Sequence, residues 1–356
     1  MSHHRSHHLV ITKEKIMSHH RSHRVTLPLI AIASIGVLAL AGCSTTEAGP
    51  TEAGPSEGSD DKVRIAMVTP ASTDPFYGAM YCGAQAAAAE QEIDLTIQGS
   101  PEVTVEAEMQ VLQTVLATEP DGMVLTVWDQ QAFNTTMKPY TDSGRPLVMA
   151  DSSLGSGEYL QSIRTDSYQS SYDAAVKVVE SFGLSSGKVL ILTDSPGNGI
   201  QVARAEGFTD AIEAETEIEV LELQYISNDS AKASNAVTSA SAGNDDLVMV
   251  FSTNIPAGTG AANGISTAGK DIVHVGYDTS STQVDQLRNG DYDVLVAQSP
   301  YQTGYDSVTL VAEILNGDKK VDDVKEETMF SPTALVTRDN VDEPDIAAFI
   351  YTSDCN

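Results

Sequence analysis

A few carboxylates, one arginine, three amides and a small set of rings carry most of the chemistry this sequence can offer. Asp74-Pro75-Phe76-Tyr77 sets a carboxylate beside an aromatic pair, Asp151-Ser152 and Asp278 each follow an apolar run, and Arg204 stands in Arg204-Ala205-Glu206-Gly207-Phe208. Asn228, Asn254 and Gln298 add neutral amides, and Trp128, the only Trp, follows another apolar run. Carboxylates accept from hydroxyls, guanidinium and amide groups donate, and ring faces cover C–H surfaces, a combination suited to a polyhydroxylated ligand. Singly, each has a plainer use. Asp and Asn after a strand cap helices or form turns, an Arg on a helix faces solvent, and large aromatics pack in cores. What singles these residues out is that they recur as a set at corresponding positions.

Other chemistries are poorly supplied. Seven of the eight His lie in residues 1–42 (His3, His4, His7, His8, His19, His20 and His23), so any Ser-His or Cys-His pair in the rest must use His274, and a His-rich zinc site has no ligands to draw on. Gly197-Asn198-Gly199 lacks the third glycine of a dinucleotide loop, no G-x-x-x-x-G-K-[ST] is present, and no D-x-[DN]-x-[DN]-G calcium loop occurs. Neither a metal nor a cofactor is expected. A glycosidase would need two carboxylates flanking one bond; Asp151 and Asp278 keep that alternative open until turnover is tested. A net charge of −30 sets nucleic acid aside as a partner.

The elements that must position these residues follow from the hydrophobic pattern. Short apolar runs (Val63–Val68, Ile93–Ile97, Gly122–Val127, Pro146–Ala150) alternate with helical stretches (Phe76–Gln91, Val103–Ala117, Gln131–Thr141). Continuous apolar strands between crossover helices predict a parallel sheet covered on both faces. The rhythm restarts with helix Asp166–Phe182, followed by strands at Lys188–Leu192, Ile218–Gln224, Leu247–Phe251, Ile272–Gly276 and Val294–Ala297, with helices between them. That is more βα units than one small sheet holds, so a second lobe is expected. The pattern alone leaves helix Tyr301–Asn316 and strand Thr333–Val336 assignable to either lobe. In open α/β sheets ligands sit beyond the carboxyl ends of the strands, which is where the polar residues above fall.

The N-terminal region reads separately. Basic Arg21 and Arg24, an apolar run Val25–Leu40 and Leu40-Ala41-Gly42-Cys43 match an export signal over 1–42, too short for a comfortable span. Met1–His8 is nearly repeated at Met17–Arg24, pointing to Met17 as the true start. Residues 43–62 carry the tandem Thr-Glu-Ala-Gly-Pro repeat and read as a flexible tether with an r.m.s. span of roughly 25 Å. Beyond Cys43, Cys82 and Cys355 remain, an even number in a disulfide-permissive compartment. They are expected to pair and tie the C-terminus to the first helix, two free buried thiols being the alternative.

Asp74-Pro75-Phe76-Tyr77, Arg204-Ala205-Glu206-Gly207-Phe208, Asn254, Val275-Gly276-Tyr277-Asp278 and Ala297-Gln298, in this order and spacing, resemble the type I periplasmic sugar-binding proteins of the ribose-binding kind, from about Val63 to Asp339. Leu40-Ala41-Gly42-Cys43 likewise resembles a bacterial lipobox, which implies lipidation at Cys43 and a membrane-anchored lipoprotein on the outer face of the cytoplasmic membrane. The resemblance implies an α/β fold of two similar doubly wound parallel-sheet lobes joined by a hinge. Residues 63–165 with 299–330 form one lobe, 166–298 with 331–340 the other, and 341–356 return to the first. It implies Phe76 and Tyr77 as a stacking pair, Asp151 and Asp278 as hydroxyl acceptors, Arg204 as the donor of the second lobe, and Asn254 and Gln298 as polar contacts near the hinge. Two positions depart: Ser152 stands where ribose binders carry an Arg, and Asn228 where they carry a third ring, with Trp128 available as a substitute surface. A different pentose, a hexose or a sugar alcohol fits as well as ribose. By the resemblance the chain is a monomeric solute-binding component of an ABC importer that hands its ligand to a membrane permease. A nucleoside or furanone ligand is the other binding reading. A sugar-responsive transcription regulator would need a basic helix-turn-helix where this chain has a signal and an acidic tether.

Overall fold

The structure is a computed structural model and describes residues 62–324, 327–352 and 354–355. The expected signal, tether and Cys43 lie outside the described residues. The first lobe begins with β1 (Arg64–Thr69), α1 (Pro75–Glu90), β2 (Asp94–Gly99), α2 (Val105–Leu116), β3 (Gly122–Leu125), α3 (Asn134–Asp142), β4 (Leu147–Ala150) and β5 (Gln161–Thr165). The chain then builds the second lobe from α4 (Ser167–Phe182), β6 (Ser186–Thr193), α5 (Gly199–Glu215), β7 (Glu217–Val220), β8 (Gln224–Tyr225), α6 (Ser230–Gly243), β9 (Leu247–Ser252), α7 (Ile255–Ala268), β10 (Val273–Tyr277), α8 (Ser281–Asn289) and β11 (Val294–Ala297). It returns to the first with α9 (Pro300–Asn316) and β12 (Thr328–Ser331), and ends with β13 (Ala334–Thr337) and α10 (Pro344–Ala347).

One sheet runs β12-β5-β4-β3-β1-β2, all parallel; the other runs β13-β11-β10-β9-β6-β7, with β8 also paired to β6 and only β13 antiparallel. Strand alternation explains how each sheet is covered. In β1, Ile65 and Met67 join a core with α1 and α9, while Ala66 and Val68 join one with α2 and α3. In β6, Val189 and Ile191 face α4 and α5, and Leu190 and Leu192 face α6 and α7. Side chains of successive strand residues point to opposite faces, so a continuously apolar strand feeds two cores.

The open helix assignment is resolved by packing. Val308, Leu310 and Val311 of α9 lie in the core of the first sheet beside Met80 and Ala84. The α1–α9 contact is close because Gly83 and Gly304 each oppose the partner helix backbone, where a Cβ would collide with Tyr301 O and Met80 O respectively. Three segments therefore cross between the lobes: Thr165 to Ser167, Ala297 to Pro300 and Ser331 to Ala334. They are stitched together by Ser299 Oγ donating to Pro332 O at 2.8 Å and by Thr303 Oγ1 and Ser331 Oγ at 2.9 Å.

Two strands were not expected from the sequence, β5 and β12, and the run Ile218–Gln224 is two short strands rather than one. A disulfide joins Cys82 in α1 to Cys355.

Candidate functional site

In both sheets the strand order reverses beside the first strand of the lobe, between β1 and β3 and between β6 and β9. Loops leaving the carboxyl ends of strands at such a point splay apart and leave a crevice. The two crevices face each other. The cleft between them, with about 550 Å³ of unfilled space continuous with solvent, is lined from the first lobe by Asp74, Phe76, Tyr77, Trp128 and Asp151, and from the second by Arg204, Asn228, Asn254, Asp278 and Gln298. These are ten of the eleven ligand-contact residues expected from the sequence. The lobes also approach at the rim, where Asp129 and Gln130 lie against the backbone at Gly197 and Gly199.

Several of these side chains do two jobs. Asp74 Oδ1 accepts from Phe76 N at 2.9 Å and caps α1, whose second-position Phe and third-position Tyr are thereby aimed at the cleft. Asn254 Oδ1 accepts from Ala257 N at 2.9 Å and caps α7, while its Nδ2 donates to Asn228 Oδ1 at 3.4 Å. A cap uses one side-chain atom and leaves the other for the cleft, so the structural and binding uses coexist. Asp151, Asn228 and Asp278 adopt positive φ (50°, 58° and 77°), a left-handed conformation that Asn and Asp tolerate at about 1 kcal/mol each. It turns each side chain away from the strand direction.

Ser152 is a correction. It does not line the cleft: buried behind Asp151, its Oγ accepts from Val127 N at 3.0 Å and its carbonyl accepts from Ser162 Oγ at 2.6 Å. The left-handed turn at Asp151 sends consecutive side chains opposite ways, leaving Ser152 to hold the Trp128 loop from below. Phe76 and Tyr77 meet edge to face. Their rings are 5.3 Å apart at 86°, and Phe76 is edge-on to Tyr351 as well, at 5.7 Å.

Arg204 organises the second-lobe wall. Its Nη1 donates to Thr253 O at 2.7 Å and its Nη2 to Gln298 Oε1 at 2.8 Å. The guanidinium lies 3.9 Å from the Tyr277 ring centroid, and Nε is buried without a hydrogen-bond partner. Gln298 Oε1 also accepts from Thr165 Oγ1 at 2.8 Å, while Gln298 Nε2 donates to Asp278 Oδ1 at 2.6 Å. Gln298 thus sits on a crossing segment and joins both lobes.

Three carboxylates share this space with one guanidinium. Burial pushes Asp74 up to about 6, with the nearby Asp278 adding to it. Burial pushes Asp151 up to about 7; Arg204 works against that shift and Asp278 with it. Asp278 is raised mainly by burial, against the stabilising effect of Arg204 and of hydrogen bonds from Gln298 and Tyr351. Desolvation disfavours the charged form, and like charges reinforce it.

Sequence reasoning missed Asn198, Gln201, Ile200, Ile255 and Pro256 in the lining. It also missed Glu108, buried beneath the loop, whose Oε2 accepts from Trp128 N at 3.1 Å, and Tyr351, whose hydroxyl donates to Asp278 Oδ1 at 2.9 Å. The i, i+3 spacing of Gln201 and Arg204 was a usable signal for the first group. His274 is a core residue: Nδ1 meets Asp291 O at 2.8 Å, Nε2 meets Ser252 Oγ at 3.1 Å, and the ring stacks on Tyr292. Burial lowers it to about 4, and it is absent from the cleft lining.

Two facing lobes with polar walls at the strand switch points define a hinged binding protein, and comparison with known proteins agrees. The periplasmic binding protein domain family matches residues 65–319, and the chain belongs to that family. The ribose import binding protein of Bacillus subtilis (strain 168) is 24% identical over 311 residues, 86% of this chain and 97% of the relative. An ABC transporter solute-binding protein from Agrobacterium vitis bound with α-D-tagatopyranose superposes with a TM-score of 0.77 at 30% identity, covering 82% of this chain and all of that one. A second from the same organism, with bound D-fucose, gives 0.74 at 25% identity over 81% of this chain and all of that one. These relatives are substrate-binding proteins, not enzymes. Among the described residues no helix is long and apolar enough to cross a membrane.

Proposed function

We propose that this chain is the extracytoplasmic solute-binding component of an ABC importer, a monomer that holds a monosaccharide or sugar alcohol in the inter-lobe cleft and delivers it unchanged to a permease. The observation that carries this reading is the convergence of Phe76, Tyr77, Trp128 and Asp151 from one lobe with Arg204, Asn254 and Asp278 from the other on a single cleft. Rings on one wall cover a sugar's C–H face, while carboxylates and donors on both walls take its hydroxyls. Binding on one lobe followed by closure excludes water and strengthens the charge-assisted bonds. A permease that prefers the closed shape then distinguishes loaded from empty protein. Release requires an affinity near micromolar, about −8 kcal/mol. The relatives' ribose, tagatose and fucose place pentoses, ketohexoses and deoxyhexoses at the head of the ligands to try.

Cys43 is proposed as the lipidation site, with residues 44–62 as the tether that keeps the lobes close to the membrane surface. A thermal melt of the soluble protein from Lys62 onward against sugars, polyols and nucleosides tests the binding reading, because a ligand bound only by the folded protein raises the midpoint. A rise with at least one monosaccharide or polyol is expected. A rise with nucleosides alone, or release of a free sugar from a glycoside panel, would contradict it.

A further inference from the structure

The C-terminal segment crosses the hinge a fourth time. After α10 its backbone runs along the second lobe: Tyr351 N donates to Thr279 O at 3.0 Å, Thr279 Oγ1 donates to Phe349 O, and Tyr351 bridges to Ser280. Ile346, Phe349 and Ile350 pack with Val284, Leu287 and Tyr292 around α8. The Tyr351 ring nevertheless belongs to the core of the first lobe, edge-on to Phe76, and four residues later Cys355 is bonded to Cys82 in α1. This crossing is closed covalently, by the disulfide, in addition to the packing of the Tyr351 ring against the first lobe. Cys355 is exposed, so the bond is within reach of a thiol. Where the strap passes the cleft, Tyr351 OH donates to Asp278 Oδ1.

We propose that residues 344–355 are a covalently anchored strap that restricts lobe opening, and that Tyr351 upon it is a positioning residue that orients Asp278 and favours its carboxylate form. The positioning part rests on the binding-cleft reading above; the strap part does not. Opening the lobes must either strip Tyr351 from Thr279, Ser280 and Asp278 or pull it from Phe76, and the disulfide blocks the second route. Reduction removes that block. The ionisable groups that act on Asp278 are Arg204, Asp74, Asp151, Tyr277, Tyr292 and Tyr351. Of these, Arg204 and the Tyr351 hydroxyl favour its charged form.

Two ligand-free measurements test this on the protein from Lys62 onward. Small-angle scattering of the oxidised wild type is compared with Cys82→Ser/Cys355→Ser and with wild type under a thiol reductant. A larger radius of gyration in both unlinked forms is expected, and superimposable curves would overturn the strap. Carbon-detected NMR of labelled aspartates, with Asp278→Asn to assign the signal, follows Asp278 titration in wild type and Tyr351→Phe. The conservative variant keeps the ring, so an upward move of about half a unit to one unit is expected from loss of one hydrogen bond to the carboxylate. An unmoved titration would overturn the positioning role. With any sugar found by the melt, Tyr351→Phe should bind about 5- to 20-fold more weakly, with the acid limb of its affinity profile moved to higher pH; unchanged affinity and profile would also overturn that role. Failure of every sugar to bind wild type would instead count against the cleft's proposed function, while scattering still decides the strap.

Discussion

At the scale of single residues, the cleft joins groups that could not be soluble alone in its interior. Arg204 is 3% exposed, and its two amino groups are committed to Thr253 O and Gln298. Arg204→Ala would leave Gln298 Oε1 with Thr165 Oγ1 as its one remaining donor, Thr253 O without the guanidinium, and the Asp278 carboxylate without the cation that stabilises it. About 2–4 kcal/mol of sugar affinity should be lost, roughly 30- to 1,000-fold, read by calorimetry; wild-type affinity in the variant would refute the assignment. Buried carboxylates also set a pH dependence. Asp151, at about 7, and Glu108, at about 8, bind protons more readily folded than unfolded. Their stabilisation is complete below about pH 4 and is lost as pH rises through those values, each unit amounting to about 1.4 kcal/mol. His274, lowered to about 4, works the other way, but only between about pH 4 and 6.5. The ligand-free melting midpoint should therefore fall from pH 6.5 to 8, and Asp151→Asn and Glu108→Gln should each flatten the fall. A flat or rising wild-type midpoint over that range would contradict this. The residues legible in the sequence were those at strand ends and in the first turns of the helices that follow; Ser152 looked equivalent to Asp151 because sequence does not reveal the left-handed turn at Asp151. Tyr351 lies 73 residues beyond Asp278, and nothing in its local sequence announces the contact.

At the scale of elements, strands with unbroken apolar runs were plain because both of their faces are buried. β5 (Gln161-Ser162-Ile163-Arg164-Thr165) is polar at alternate positions although it lies between β12 and β4, and β12 (Thr328-Met329-Phe330-Ser331) is a half-exposed edge strand, so neither has that signature. The run Ile218–Gln224 reads as one strand, yet β7 and β8 pair separately with β6 around Leu221–Leu223. Most helix starts were legible to within two residues, and Asp74, Asn198 and Asn254 are caps as well as lining residues; α3 begins three residues later than expected, at Asn134. The α1–α9 contact carries its own prediction. Gly304→Ala would press a methyl group onto the Met80 carbonyl and should cost about 1–3 kcal/mol in urea unfolding, with little change in sugar affinity. Unchanged stability would mean that the helices do not pack as closely as described.

At the scale of the whole molecule, function depends on two cores being separate while their cleft walls are shared. Each sheet is covered on both faces by its own helices, so the lobes can move as bodies. Gln298 and Thr165 form a polar contact on the crossing segments, where movement need not disrupt either core. The lobe pattern was readable because the βα rhythm stops and restarts; the return of residues 299–330 to the first lobe came only from the family resemblance, because nothing in the periodicity of α9 or β12 names a partner. Sugar binding should reduce the radius of gyration in solution, and an unchanged value at saturation would argue against hinge closure. The most direct test is a crystal structure grown with the sugar or polyol that raises the melting midpoint most. The ligand should lie between Phe76, Tyr77, Trp128 and Asp151 on one side and Arg204, Asn254 and Asp278 on the other, chemically intact. Density for it elsewhere on the protein, with those side chains untouched, would contradict the account.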